Sequence, residues 1–326
     1  YIVPPVYSEY VFNASVKGNS DESVGTIASV EVLWETFNTT SAIEVGDVIE
    51  SVFLEGNNIH FTLPFDSKPG NALIAVKDDL GTILWSWHIW VVDFDPVTTQ
   101  QKYTSGAVMM DRNLGALSVS SGDYHMGEYS AFGLYYQWGR KDPMTLSNVN
   151  MAPSNGITIH DNIFNGEYAF DAICNHIDYT YSHPTDFYDD VNWDNNNQLW
   201  NFGKTVNDPC PVGWRVPDIE VWDGWYNNDF SVDGYCLCIP ETYSTPAAYY
   251  PLGGYGDFAY SDPNNFAYHG YYWTTSGNQQ FRVNQSTCST GGWIDFSNKA
   301  SVRCMKDNPD KNGDNEDYTE GDDYEW

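Results

Sequence analysis

The run Asn207-Asp208-Pro209-Cys210-Pro211-Val212-Gly213-Trp214-Arg215-Val216-Pro217 constrains this chain more than any other stretch. Two prolines fix φ on either side of Cys210, and Gly213 permits a backbone turn. Pro217 followed by Asp218 reads as a helix start, with Asp218 as N-cap and Glu220 in the first turn. A cysteine is thus held rigidly just ahead of a short helix. Near the other end, Ala300-Ser301-Val302-Arg303-Cys304-Met305 alternates like a strand and carries a second cysteine, so the two could close the fold as a covalent clasp.

The chain's 326 residues are long enough for two domains, and a hydrophobic content of 41% can fill two cores. A formal charge of −31 excludes nucleic acid and anionic membrane surfaces as natural partners, because both would repel it. No run approaches the roughly 18 apolar residues of a membrane span. No charged and then apolar leader opens the chain, and the start at Tyr1 reads as processed or trimmed. Six cysteines, an even number, are compatible with disulfides in an exported protein. Cys236 and Cys238 would point to one face of a strand, so each is expected to pair elsewhere.

Five motifs in fixed order carry a family resemblance. They are Met110-Asp111-Arg112-Asn113-Leu114-Gly115-Ala116, the run Gly133-Leu134-Tyr135-Tyr136-Gln137-Trp138-Gly139-Arg140-Lys141-Asp142-Pro143, the Cys210 stretch, Tyr272-Trp273-Thr274-Thr275-Ser276, and Ser301-Val302-Arg303-Cys304. Together they resemble the Fibrobacter succinogenes major paralogous domain over about residues 104 to 306. The resemblance implies a C-type-lectin-like fold and a place in surface and fimbria-associated proteins of anaerobic gut bacteria. It also implies a bond between Cys210 and Cys304, since they occupy the two most specific motifs. Closing a loop of that length would stabilise by roughly 4 to 5 kcal/mol in the chain-entropy model.

Residues 1 to about 100 alternate strand-like segments with turn signals, at Thr26 to Thr36, Val48 to Leu54, Ile59 to Leu63, Ala72 to Lys77 and Thr82 to Val92. They predict a small Ig-like β-sandwich. Asp79-Leu80-Gly81 supplies a hairpin turn, after which Trp85, Trp87 and Ile89 share one strand face while His88 packs or lies at an edge. The stretch from Gly70 to Trp90 looks like the portion that often precedes the lectin-like domain in the same bacteria, which puts a boundary near Asp95-Pro96. A linker at Asp95 to Gln101 would leave residues 104 to 306 able to fold alone.

Ala131, Leu134, Tyr135 and Trp138 fall at the spacing of one helical face, ended by Gly139, and are expected in the core. Trp222, Trp225 and Tyr226 share another such face. Residues 144 to 206 read as a loop-rich insertion, and 307 to 326, with nine acids against Lys311, as an acidic solvated tail. The expected architecture is an all-β N-terminal sandwich at 1–100, an α+β C-type-lectin-like domain at 104–306, and the tail.

Large aromatics gather among glycines and carboxylates in residues 249 to 273. Sugar recognition needs a ring face against the apolar patch of a pyranose, with planar polar groups for its hydroxyls. Tyr249, Tyr255, Asp257, Asp262, Asn264, Asn265 and Trp273 are the ligand-binding candidates, beside Tyr250, Tyr260, Tyr268 and Tyr271, each of which could equally pack its loop onto the domain. Asp262-Pro263-Asn264-Asn265 is similar to the Glu-Pro-Asn loop with which sugar-binding C-type lectins hold calcium. Its partner strand is represented only by Trp293-Ile294-Asp295, which lacks the asparagine, so no cofactor is expected, with calcium as the alternative to a plain Asx-Pro turn. Asp310-Lys311-Asn312-Gly313-Asp314 lacks the glycine and glutamate of a calcium loop. Cys174, His176 and His183 lack a fourth zinc ligand, and nucleophile elbows and phosphate loops are missing.

The sequence therefore predicts an extracellular, outer-surface or fimbria-associated adhesin that binds a glycan or a surface protein, with other fimbrial subunits as further partners. A structural filament subunit is the second reading. Third comes an enzyme of the formylglycine-generating kind, which shares the fold but relies on reactive cysteines.

Overall fold

Alternating polar and apolar residues would give a sheet with one wet face, yet Gly70 to Val76 and Trp85 to Val92 are apolar at almost every position. Such strands need cover on both faces. The computed structural model shows what supplies it. It describes residues 1–18, 20–37, 43–103, 105–119, 130–144, 157–159, 176–187, 199–201, 203–222, 225, 231–233, 236–239, 248–256, 265, 268–284 and 286–307.

The first half holds β1 (Ile2–Val3), β2 (Glu9–Asn13), β3 (Ser29–Thr36), β4 (Ser51–Glu55), β5 (Asn58–Thr62), β6 (Gly70–Lys77) and β7 (Ile83–Val91). β2, β5 and β4 form one antiparallel sheet, while β1, β7, β6 and β3 lie in another, in which β1 runs parallel to β7. Ala72, Ile74, Val76, Trp85, Trp87, Ile89 and Val91 meet Ile59, Phe61, Val48 and Ile49 between the two sheets. Trp85, Trp87 and Ile89 thus share the expected face, and His88 is a packed histidine whose Nε2 lies 2.9 Å from Asn71 Oδ1. Glu35 is fully buried and accepts the backbone N–H groups of Gly46, Val48 and Ile49, fixing the loop that enters the small sheet.

The second half adds β8 (Gln101–Lys102), β9 (Val108–Met109), β10 (Tyr135–Gln137), β11 (Ile157–Ile159), α1 (His176–Ser182), β12 (Trp214–Arg215), β13 (Ser231–Asp233), β14 (Cys236–Ile239), β15 (Ala248–Pro251), β16 (His269–Trp273), β17 (Gln280–Asn284), β18 (Cys288–Gly291), β19 (Lys299–Ser301) and β20 (Met305–Lys306). A five-stranded sheet runs β10-β19-β16-β17-β18, a four-stranded one β12-β20-β9-β8, and a three-stranded one β13-β14-β15. The described residues are β-rich, with one short α-helix and a 3₁₀ turn at Ile219–Trp222 after Pro217-Asp218.

Residues 131 to 138 are a correction to the sequence reading. Ala131, Leu134, Tyr135 and Trp138 are all buried, as expected, but on a turn and strand β10 rather than a helix. Gly133 and Gly139 both have positive φ, and a Cβ at Gly133 would lie 2.6 Å from the Leu114 carbonyl oxygen. Those two turns break a helical run, and β19 takes the segment as a strand partner.

The boundary near residue 100 is not a boundary in the packing. Trp34, Leu73, Ala75, Trp90 and Val92, on the second face of the β7-β6-β3 sheet, join Leu114, Leu134, Trp138, Trp200, Trp214 and Trp273 in one core. β11, from the insertion, pairs with β3 and extends that same sheet. Polar groups seal the seam. Asn71 donates to the Gly115 carbonyl at 3.0 Å, Ser86 donates to Asp142 Oδ1 at 2.6 Å, and Lys141 reaches the same carboxylate while lying 4.3 Å over the Trp85 ring.

The five motifs converge on this core. Met110 and Leu114 donate backbone bonds to the carbonyls of Cys304 and Val302. Arg303 is fully buried and takes Asn113 Oδ1 from Nε and Nη2 at 3.1 and 2.9 Å. Trp138 Nε1 donates to Thr274 O, Trp273 Nε1 to Tyr136 O, and Arg215 and Thr275 both bind Asp218. Cys210 and Cys304 are joined by a disulfide across 94 residues.

Two expectations follow. Calorimetry of the whole chain should show one cooperative transition, and residues 104 to 306 alone should not give a native melt, because Trp34, Leu73 and Trp90 leave with the first half. Two separate transitions, or a folded fragment, would refute the shared core. Cys304→Ser should cost about 4 kcal/mol in a denaturant titration, and a loss under about 1 kcal/mol would show that the clasp constrains little.

Candidate functional site

β16 and β17 present two faces of different character. Tyr272, Phe281 and Val283 enter a second core with Trp222, Trp225 and Tyr250. On the opposite face lie His269, Tyr271 and Trp273, matched across the ladder by Asn284, Arg282 and Gln280. That face is core at the Trp273–Gln280 end, where both side chains are fully buried, and runs out to open surface toward His269 and Arg282.

Gln280 fixes the transition. Its Oε1 accepts the backbone N–H of Trp293 at 2.8 Å while its Nε2 donates to Gly277 O. Held there, the Trp293 ring lies under the Arg282 guanidinium, 3.6 Å from its centre, and remains 42% exposed. Gly291 allows this approach, since a Cβ would stand 3.2 Å from the ring. Tyr255 meets Tyr271 edge-on at 5.2 Å, and Asn265, at φ 56°, donates from Nδ2 to the Tyr271 hydroxyl at 3.2 Å. Tyr268 stands 67% exposed beside them in sequence. Burial raises the Tyr271 pKa, and the Asn265 bond and the Arg282 charge oppose that rise. His269 is pushed below its ordinary value by burial and by Arg282, so at neutral pH its ring is uncharged.

Of the candidates read from sequence, the structure brings Tyr255 and Asn265 together on this face. Trp273 is corrected: it is fully buried, its indole bonds to Tyr136 O, and it supports the face from beneath without reaching solvent. Tyr249 lies half-buried on β15, and its carbonyl accepts from Arg303. Tyr250 is core, its hydroxyl 2.6 Å from that of Tyr103 and 3.0 Å from Trp222 Nε1. Asp257, Asp262, Asn264 and Tyr260 lie outside the described residues, as do Cys174 and the tail beyond Asp307. His183 is stacked on Tyr179 at 3.9 Å. Among the described residues no group of three acids, histidines or cysteines could hold a metal, and Asn265 is the one described member of the Asp-Pro-Asn-Asn loop.

Sequence reasoning missed Arg282. The signal was present: Gln280, Arg282 and Asn284 alternate with Phe281 and Val283, which marks a strand with one polar face. Its pairing with Trp293 depends on a hairpin and a turn that sequence spacing does not show.

Another described cleft lies elsewhere, a cavity of about 110 Å³ on the seam between the halves. Its lysines are already engaged, Lys141 by Asp142 and Lys204 by Asp208 and the Cys210 carbonyl. It is a joint between layers. Comparison with protein-family models, curated proteins and solved structures found no match to this chain.

Beneath the site Lys299 is buried, and its aliphatic chain fills the place a side chain at Gly256 would need. Burial pushes its amine down to about 7, against an ordinary 10.5. Between those values the unfolded chain binds the extra proton, so this group's cost to stability is greatest below pH 7 and is relieved as pH rises through the window. Lys299→Met should flatten the rise of the denaturation midpoint with pH above 7, and an unchanged slope would show that Lys299 titrates normally.

Proposed function

We propose that this chain is an exported, cell-surface or fimbria-associated binding protein, that its second half is a C-type-lectin-like domain of the kind its five motifs resemble, and that its ligand is a glycan. One observation carries the reading: the β16–β17 face leaves Trp293 and Tyr268 open beside Arg282, Asn265 and the Tyr255–Tyr271 pair. A flat apolar ring flanked by planar donors and acceptors is what a pyranose presents itself to. The disulfide is in keeping with an oxidising compartment.

The three cysteines whose side chains are described support binding over catalysis. Cys210 and Cys304 are joined, while the Cys288 thiol donates to Trp225 O and is pushed up to about 12 by burial, which makes it a poor nucleophile.

A glycan array with and without calcium tests the reading. Trp293→Ala and Tyr255→Ala should each lower affinity for the selected glycans by about tenfold or more, with melting temperatures within about 3 °C of the parent. Undiminished binding by both variants would place the site elsewhere. Early melting by both would make these rings structural.

A further inference from the structure

We propose that the glycan is an acidic one, and that Arg282 takes its carboxylate; this rests on the glycan reading above. The chain has 45 acids against 14 lysines and arginines, so an unpaired cation on it is unexpected. Lys17, Lys77, Arg112, Lys141, Lys204 and Arg215 each sit against a carboxylate. Arg140 and Arg303 are fully buried and bound to carbonyl and amide oxygens. Lys68, Lys102 and Lys306 are exposed and form no ion pair among the described residues either, but Arg282 differs from all of these in joining partial exposure and no ion pair to a stack on an aromatic ring. It is partly exposed, forms no ion pair among the described residues, stacks on the Trp293 ring and hydrogen-bonds the Tyr271 hydroxyl.

Stacking holds a guanidinium flat and removes water from one face, while its in-plane N–H groups still point outward. That fork matches a carboxylate, and a charge-assisted pair formed on a desolvated platform is stronger than a neutral hydrogen bond. The surroundings suit a sugar that bears such a group. Ser289 is the ladder partner of Arg282 on the same face. The Tyr271 hydroxyl, which accepts from Asn265, belongs to the ladder partner of Arg282. An acidic peptide would use the arginine but leave the aromatic surface without a ring to cover.

The global charge has a further consequence. A chain of −31 repels any anion at long range, so binding must come from contacts at Arg282. Raising salt to about 0.15 M, where fields decay over about 8 Å, should therefore not weaken acidic-glycan binding steeply.

The test is calorimetric titration of the full chain with sialyllactose against lactose, and with trigalacturonate against its methyl ester. The acidic member of each pair should bind about tenfold or more tightly. In Arg282→Gln the acidic-to-neutral ratio should fall toward one, and Arg282→Lys, a point charge without the fork, should restore only part of it. Equal affinity within both pairs in the parent chain overturns this inference and leaves the glycan reading standing. Failure to bind any of the four probes overturns both. A sulfated sugar preferred over its carboxylated counterpart, or polyglutamate competing as well as sialyllactose, also overturns it. Should Arg282→Gln not fold, the Arg282→Lys ratio decides, since a value equal to the parent's removes the role of the fork.

Discussion

The structure depends on one sheet, β1-β7-β6-β3, being buried on both faces. Residues of even and odd number on β6 enter different cores, Ala72, Ile74 and Val76 toward the small sheet and Leu73 and Ala75 toward the second half. Neither face could be left in water at the usual gain of about 25 cal/mol for each Å² of apolar surface removed. The chain after residue 100 is thus a covering layer for that sheet. Its own sheet repeats the arrangement, with Tyr271 and Trp273 in one core and Tyr272 in another.

Burying so many layers strands polar groups, and the molecule answers with a few charged side chains that serve loops. Arg140 gathers the carbonyls of His183, Pro184 and Asp186 after α1. Arg303 ties Asn113 to Tyr249 and lies over Tyr250, and Glu35 collects three N–H groups before β4. In each case a buried charge is spread over several hydrogen bonds, the condition under which it can remain in a dry interior. Arg140 and Arg303 are also motif residues, and at each the backbone of one segment is held by the side chain of another.

The candidate site lies where this packing runs out. Gln280 and Trp273 close the core end of the β16–β17 face, and two strand positions further on Arg282 stands partly exposed over Trp293. The aromatic-rich segment from Tyr249 onward was legible as a region, and Tyr255 and Asn265 as members of it. Which rings would face water was not legible, since Tyr250, Tyr268 and Tyr271 are chemically alike and differ only in the face on which their backbone places them.

The Cys210–Cys304 clasp was implied by the family resemblance. The residues themselves determined strands β3 to β7, the turn at Asp79 to Gly81 and the burial of Ala131, Leu134, Tyr135 and Trp138. These follow from local physics: side-chain alternation, turn chemistry and apolar character. Only the tertiary structure decided that residues 135 to 137 form a strand, that both halves share a core, and that Arg282 meets Trp293. The reason is common to all three. Periodicity records that a residue is apolar or polar, but the partner that satisfies it comes from a segment far away in the chain, and nothing local encodes that distance.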